Sequence, residues 1–158
     1  LGGYDVRQTR AAIDAMRDAG WGDDVQPIVE RALRDGACAT GAALDWCEQV
    51  ARQHPGKLIA RAEPLLQEEK GVALKLGMLR WLVAQKQERE LLQFIDRWDR
   101  ALRADGMAWG ETPWALLQFD RFGDSVAWQH DWRERPELPQ TIRLTVPGAL
   151  PSIRISRR

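Results

Sequence analysis

The chain repeats one pattern about four times: an apolar helix, a short polar turn and a second apolar helix, at roughly 31 to 40 residues per repeat. Glycine, proline or clustered polar residues mark the turns at 20–24, 54–56, 85–88 and 122–124. Self-similarity at such a period is typical of stacked arrays in which each unit covers the apolar face of its neighbour. The pattern therefore predicts an all-α fold, an antiparallel helix-pair solenoid of about four pairs.

Apolar residues recur at the i, i+3, i+4 and i+7 spacing of one helix face through most of the chain. Gly20 and Gly36 are typical helix ends, and Thr112-Pro113 is typical of a helix start. Pro64 falls inside the fourth segment, which is expected to be a kinked helix or two short helices. The predicted helices cover residues 5–19, 24–35, 40–54, a segment after 56, 71–85, 88–104, 112–121 and 124–135.

Beyond Pro139 the spacing of apolar residues changes from helical to alternating, at 142–146 and again at 153–155. Alternation predicts two short strands or an extended tail. A lone hairpin is marginally stable in water, so it is expected to pack on the helices or a partner, or to begin a further domain. The predicted domains are a helical repeat domain at 1–137 and an extended or β-hairpin tail at 138–158.

Composition excludes several classes of protein. The 158 residues carry a formal net charge of zero, whereas a general nucleic-acid binder shows a basic excess. No apolar run approaches the ~20 residues that a membrane span needs, and no signal peptide is visible. A cytoplasmic location is the expectation. The start at Leu1 rather than Met leaves open an excised domain or a processed product, and with it export.

The residues do not form a pattern that indicates catalysis. There is no phosphate-binding glycine loop, no dinucleotide fingerprint and no nucleophile elbow. Cys38, Cys47 and His54 fit no common zinc spacing, and Cys47 is expected to be a buried thiol. We therefore expect no enzyme activity, no catalytic residues, no metal and no cofactor.

The helix-pair pattern resembles the tetratricopeptide repeat superfamily over about residues 5–136. Residues at family-like spacings are Gly20, Val25, Val29, Ala32 and Leu33, and later Phe94, Trp98, Ala101 and Leu102. The segment 122–136 is similar to the second helix of divergent bacterial members of the superfamily. Leu76-Gly77 is the nearest match to the family's paired Leu-Gly, and Pro64 departs from the pattern. The resemblance implies a right-handed helical stack with a concave groove for protein–protein contact, and it carries over no catalytic residue.

Charge differs between the two helices of each predicted pair. The first helices are mildly basic in sum and the second helices are acidic. Most of the positive excess comes from Lys75, Arg80 and Lys86. In a two-layer stack the first helices line the concave side, so that side is expected to be mildly basic, with ordinary solvated charge as the alternative.

The leading hypothesis for function is a scaffold module that binds a segment of another protein in its groove. Helix phase places these residues in the groove: Arg10, Asp14, Arg17, Gln49, Arg52, Lys75, Met78, Gln118 and Arg121.

Two alternatives stay open. The chain could be a structural or oligomerisation module whose tail adds a strand or clasp to another chain, as a homo-oligomer or in a larger assembly. It could instead bind a small molecule or glycan in an aromatic site. The candidate aromatic residues are Trp81, Trp98, Trp128 and Trp132.

Overall fold

A computed structural model describes residues 6–20, 25–135, 141–146 and 150–156 of the chain, but not the side chains of both strands and of several residues in the first helix. The fold is all-α, as the apolar periodicity predicts. In the described residues the helices are α1 Val6–Asp18, α2 Gln26–Arg34, α3 Thr40–Gln53, α4 Leu58–Glu68, α5 Ala73–Ala84, α6 Glu88–Arg97, α7 Asp99–Ala104, α8 Gly106–Leu117 and α9 Phe122–Trp128. A 3₁₀ turn, Gln129–Glu134, follows α9, and the strands are β1 Thr141–Val146 and β2 Leu150–Ser156.

The chain divides into two compact units, Leu1–Leu91 and Leu92–Arg158, called here the N-terminal and C-terminal units. The boundary predicted after residue 137 concerns the tail and stays a prediction.

In the N-terminal unit α3 is the central helix. It contacts α1, α2, α4 and α5, and α2 also contacts α4. The most extensive helix contact in this unit joins α3 to α5, and a Cβ on Gly77 would lie 3.0 Å from the Cβ of Ala43. Side chains from α2, α3 and α5 fill the core of this unit: Val29, Leu33, Trp46, Val50, Leu74, Leu76, Met78, Leu79 and Leu82.

A buried ion pair fixes the start of α5. The Lys75 ammonium donates to Glu69 Oε2 at 2.9 Å and to the carbonyl of Gly71 at 3.1 Å. The other oxygen of Glu69 accepts the N–H of Leu74 at 2.8 Å, which is one of the donors that a helix start leaves without a partner. Burial raises the pKa of Glu69, although Lys75 and the backbone N–H groups act against that rise.

In the C-terminal unit α8 packs on α7 and on α9. Two side chains of α9 bond to the backbone of α8: Trp128 Nε1 donates to the carbonyl of Trp109 at 2.9 Å, and Ser125 Oγ donates to that of Pro113 at 3.3 Å. Trp128 follows Ser125 on α9, whereas its partner Trp109 precedes Pro113 on α8. The two helices therefore run antiparallel.

A cluster around Asp131 ties the end of α9 to α7 and α8. The carboxylate accepts the indole N–H of Trp109 at 3.0 Å and the guanidinium of Arg135 at 3.3 Å, and it lies 3.5 Å from Arg103. The guanidinium of Arg103 also covers the ring of Trp128, 4.0 Å from its centroid. Burial alone would raise the pKa of Asp131, but the hydrogen bonds from Trp109 and Arg135 and the charge of Arg103 hold it below its usual range.

Three boundaries predicted from the sequence are wrong. The predicted helix at 88–104 is two helices, because the backbone leaves helical geometry at Trp98 (φ −109°, ψ 18°). The loop predicted after residue 105 is the start of α8, because the Asp105 carboxylate accepts the N–H groups of Met107 and Ala108. The turn predicted at 122–124 lies earlier in the chain, because Asp120 adopts φ 57° and α9 begins at Phe122.

The segment that contains Pro64 is one helix, α4, rather than two. An interior proline removes one backbone hydrogen bond. The carbonyl that loses its partner is that of Ala60, four residues earlier. Ala60 and Pro64 are both exposed, so water can hydrogen-bond this carbonyl.

Strands β1 and β2 form an antiparallel pair. The register sets Ile142 opposite Ile155 and Leu144 opposite Ile153, and it shifts between Leu144 and Val146.

Candidate functional site

The exposed side of α3 carries a shallow cleft of about 230 Å³. Its lining residues are Asp45, Glu48, Gln49 and Arg52. They stand at i, i+3, i+4 and i+7 and therefore form one polar stripe. The opposite stripe of α3 is buried through Ala43, Trp46, Cys47 and Val50, so packing fixes the polar stripe in an outward orientation.

Hydrogen-bonding groups of both kinds line the cleft. Arg52 Nη2 donates to Glu48 Oε1 at 3.0 Å, and both side chains are mostly exposed. Two carboxylates, one amide and one guanidinium line the cleft. The cleft thus offers both hydrogen-bond donors and acceptors at the surface.

Two of the residues predicted for the groove, Gln49 and Arg52, lie in this cleft. Sequence reasoning missed their neighbours Asp45 and Glu48. The signal was present in the sequence, since all four residues share the helical spacing of one polar face.

Lys75 and Met78 do not line an open groove, and their assignment to it is wrong. Met78 is fully buried and its sulfur lies 3.6 Å from the Cys47 sulfur. Lys75 is 7% exposed and its charge is paired with Glu69. The expected basic character of α5 is reduced for the same reason.

The other groove residues are distributed over both units. Arg10, Asp14 and Arg17 belong to α1, but their side chains lie outside the described residues. Gln118 and Arg121 follow the end of α8 in the C-terminal unit. The Gln118 amide donates to the carbonyl of Trp114 at 3.4 Å, and Arg121 pairs with Asp124 at 2.6 Å.

The tryptophans proposed for an aromatic site differ in their surroundings. Trp128 is 4% exposed, its N–H is bonded and one ring face is covered by Arg103, so its assignment to a ligand site is wrong. Trp98 is also buried, with the guanidinium of Arg97 5.1 Å from its ring centroid. Trp81 and Trp132 are half-buried, and Arg133 lies over the Trp132 ring at 4.8 Å.

In the described residues, Cys38 and Cys47 are not joined in a disulfide. Cys47 is buried as expected, and burial strongly raises the pKa of its thiol.

Within the described ranges no three His, Cys, Asp or Glu side chains are grouped so as to hold a metal ion. In the same ranges, every helix is too short or too polar to cross a bilayer.

Comparison with known proteins gave no relatives: no protein-family model, no curated protein and no solved structure matches the chain.

Proposed function

We propose that the N-terminal unit binds a segment of another protein along the exposed stripe of α3. The proposal includes a helical-repeat arrangement in which α1 with α2 and α3 with α4 are successive helix pairs. The helix contacts support it: α3 contacts both α1 and α5, and α2 contacts α4. In a repeat stack the first helices of successive pairs form one layer and present a continuous surface to a partner.

The α3 cleft is the observation that carries the proposal. Its four polar side chains stand on the central helix of the unit, whose other side is anchored by the fully buried Trp46. A rigid helix that presents ordered donors and acceptors loses little conformational entropy when a partner binds. The mixture of carboxylates, amide and guanidinium favours a partner segment with polar side chains that hydrogen-bond to them.

The test is a quantitative pull-down from a lysate of the source organism with the full chain as bait. Asp45→Lys with Glu48→Lys replaces both carboxylates of the cleft with ammonium groups. Glu63→Lys with Glu68→Lys makes the same change in charge on α4 and serves as the matched control. Circular dichroism checks that both variants remain folded.

We expect the control variant to capture the same proteins as the wild type. The cleft variant should capture them about tenfold less, which corresponds to about 1.4 kcal/mol of lost binding free energy. A photo-crosslinker in place of Gln49 should label the captured protein. The proposal is overturned if nothing is enriched above the tag alone, or if both variants bind equally well.

A further inference from the structure

We draw no further inference here: the strongest candidate, the surface patch of exposed apolar side chains on α8 and α9 that includes Trp114 and Val126, carries none, because nothing in the structure shows what covers it.

Discussion

At the scale of single residues, one proline decides how α8 and α9 are joined. Pro113 has no N–H, so the carbonyl of Trp109, four residues earlier, has no partner within the helix. The indole N–H of Trp128 donates to that carbonyl at 2.9 Å. Pro113 would weaken an isolated helix, but here it leaves the Trp109 carbonyl available to accept a hydrogen bond from the neighbouring helix α9.

Trp128→Phe should lower the free energy of unfolding by about 1–3 kcal/mol, since it leaves the Trp109 carbonyl buried without a donor. Adding Pro113→Ala supplies a backbone N–H for the same carbonyl and should recover part of the loss. Trp114→Phe changes an exposed tryptophan of the same helix and should have little effect. Chemical denaturation of the wild type, these three variants and Pro113→Ala alone measures the differences, and strictly additive effects of Trp128→Phe and Pro113→Ala would contradict the shared acceptor.

Lys86 holds a left-handed backbone with φ 54° at the end of α5. Its N–H donates to the carbonyl of Val83 and that of Gln87 to Leu82, which closes the end of the helix. Glycine adopts this conformation without the cost of about 1–2 kcal/mol that a Cβ imposes. Lys86→Gly should therefore raise the melting temperature. Lys86→Ala removes the same charge but keeps the Cβ, and an equal gain there would show that charge is the cause.

At the scale of elements, the packing of α3 on α5 depends on a missing side chain. A Cβ on Gly77 would meet the Ala43 Cβ at 3.0 Å, its carbonyl carbon at 3.2 Å and the backbone N of Leu44 at 3.2 Å. Two of these atoms are backbone and cannot move aside without shifting α3. The glycine is thus required by the distance between two helices rather than by a turn.

Gly77→Leu should destabilise the N-terminal unit by about 3 kcal/mol, at the upper end of the usual cost of overpacking. Ala84→Leu introduces the same side chain, with one carbon less of added bulk, at an exposed position of α5 and should change the free energy of unfolding by less than about 0.5 kcal/mol. Denaturation followed by circular dichroism compares the two. Equal changes in the free energy of unfolding for the two variants would contradict a specific requirement for glycine at position 77.

The existence of most helices follows from apolar spacing, but some of their ends do not. The predicted helix at 88–104 keeps an amphipathic pattern through Trp98, although the backbone breaks there. Asp105-Gly106 resembles a helix end in sequence, but the Asp105 carboxylate caps the start of α8. In both places the backbone conformation depends on contacts that the one-dimensional pattern does not contain.

At the scale of the whole molecule, the candidate site was only partly predictable. Helix phase identified Gln49 and Arg52, since a polar stripe opposite a buried one must face outward. The same reasoning failed at Lys75 and Met78, because α5 is buried on most of its surface and a polar residue there pairs internally. Helical spacing predicts on which side of its own helix a residue lies, whereas the packing of neighbouring helices decides whether that side is exposed.

Two carboxylates, one in each unit, should give stability opposite dependences on pH. Asp131 has a lowered pKa, so its contribution is complete above the unfolded pKa of about 4 and is lost as the pH falls through the folded pKa. Glu69 has a raised pKa, so protons bind the folded state more tightly. Its contribution is complete below about pH 4 and is lost as the pH rises through the folded pKa.

The variants Asp131→Asn and Glu69→Gln separate these contributions. The difference in free energy of unfolding between wild type and Asp131→Asn should be constant at neutral pH and shrink on acidification, because the protonated carboxyl resembles the amide. The difference between wild type and Glu69→Gln should move against the wild type as the pH rises above about 4, since Lys75 is buried in both proteins but only the wild type must then bury the Glu69 carboxylate as well. Denaturant titrations across the acidic and neutral range measure both curves. Slopes of the same sign would mean that one of the two carboxylates does not have the environment described, and the variant with the unexpected slope would identify which.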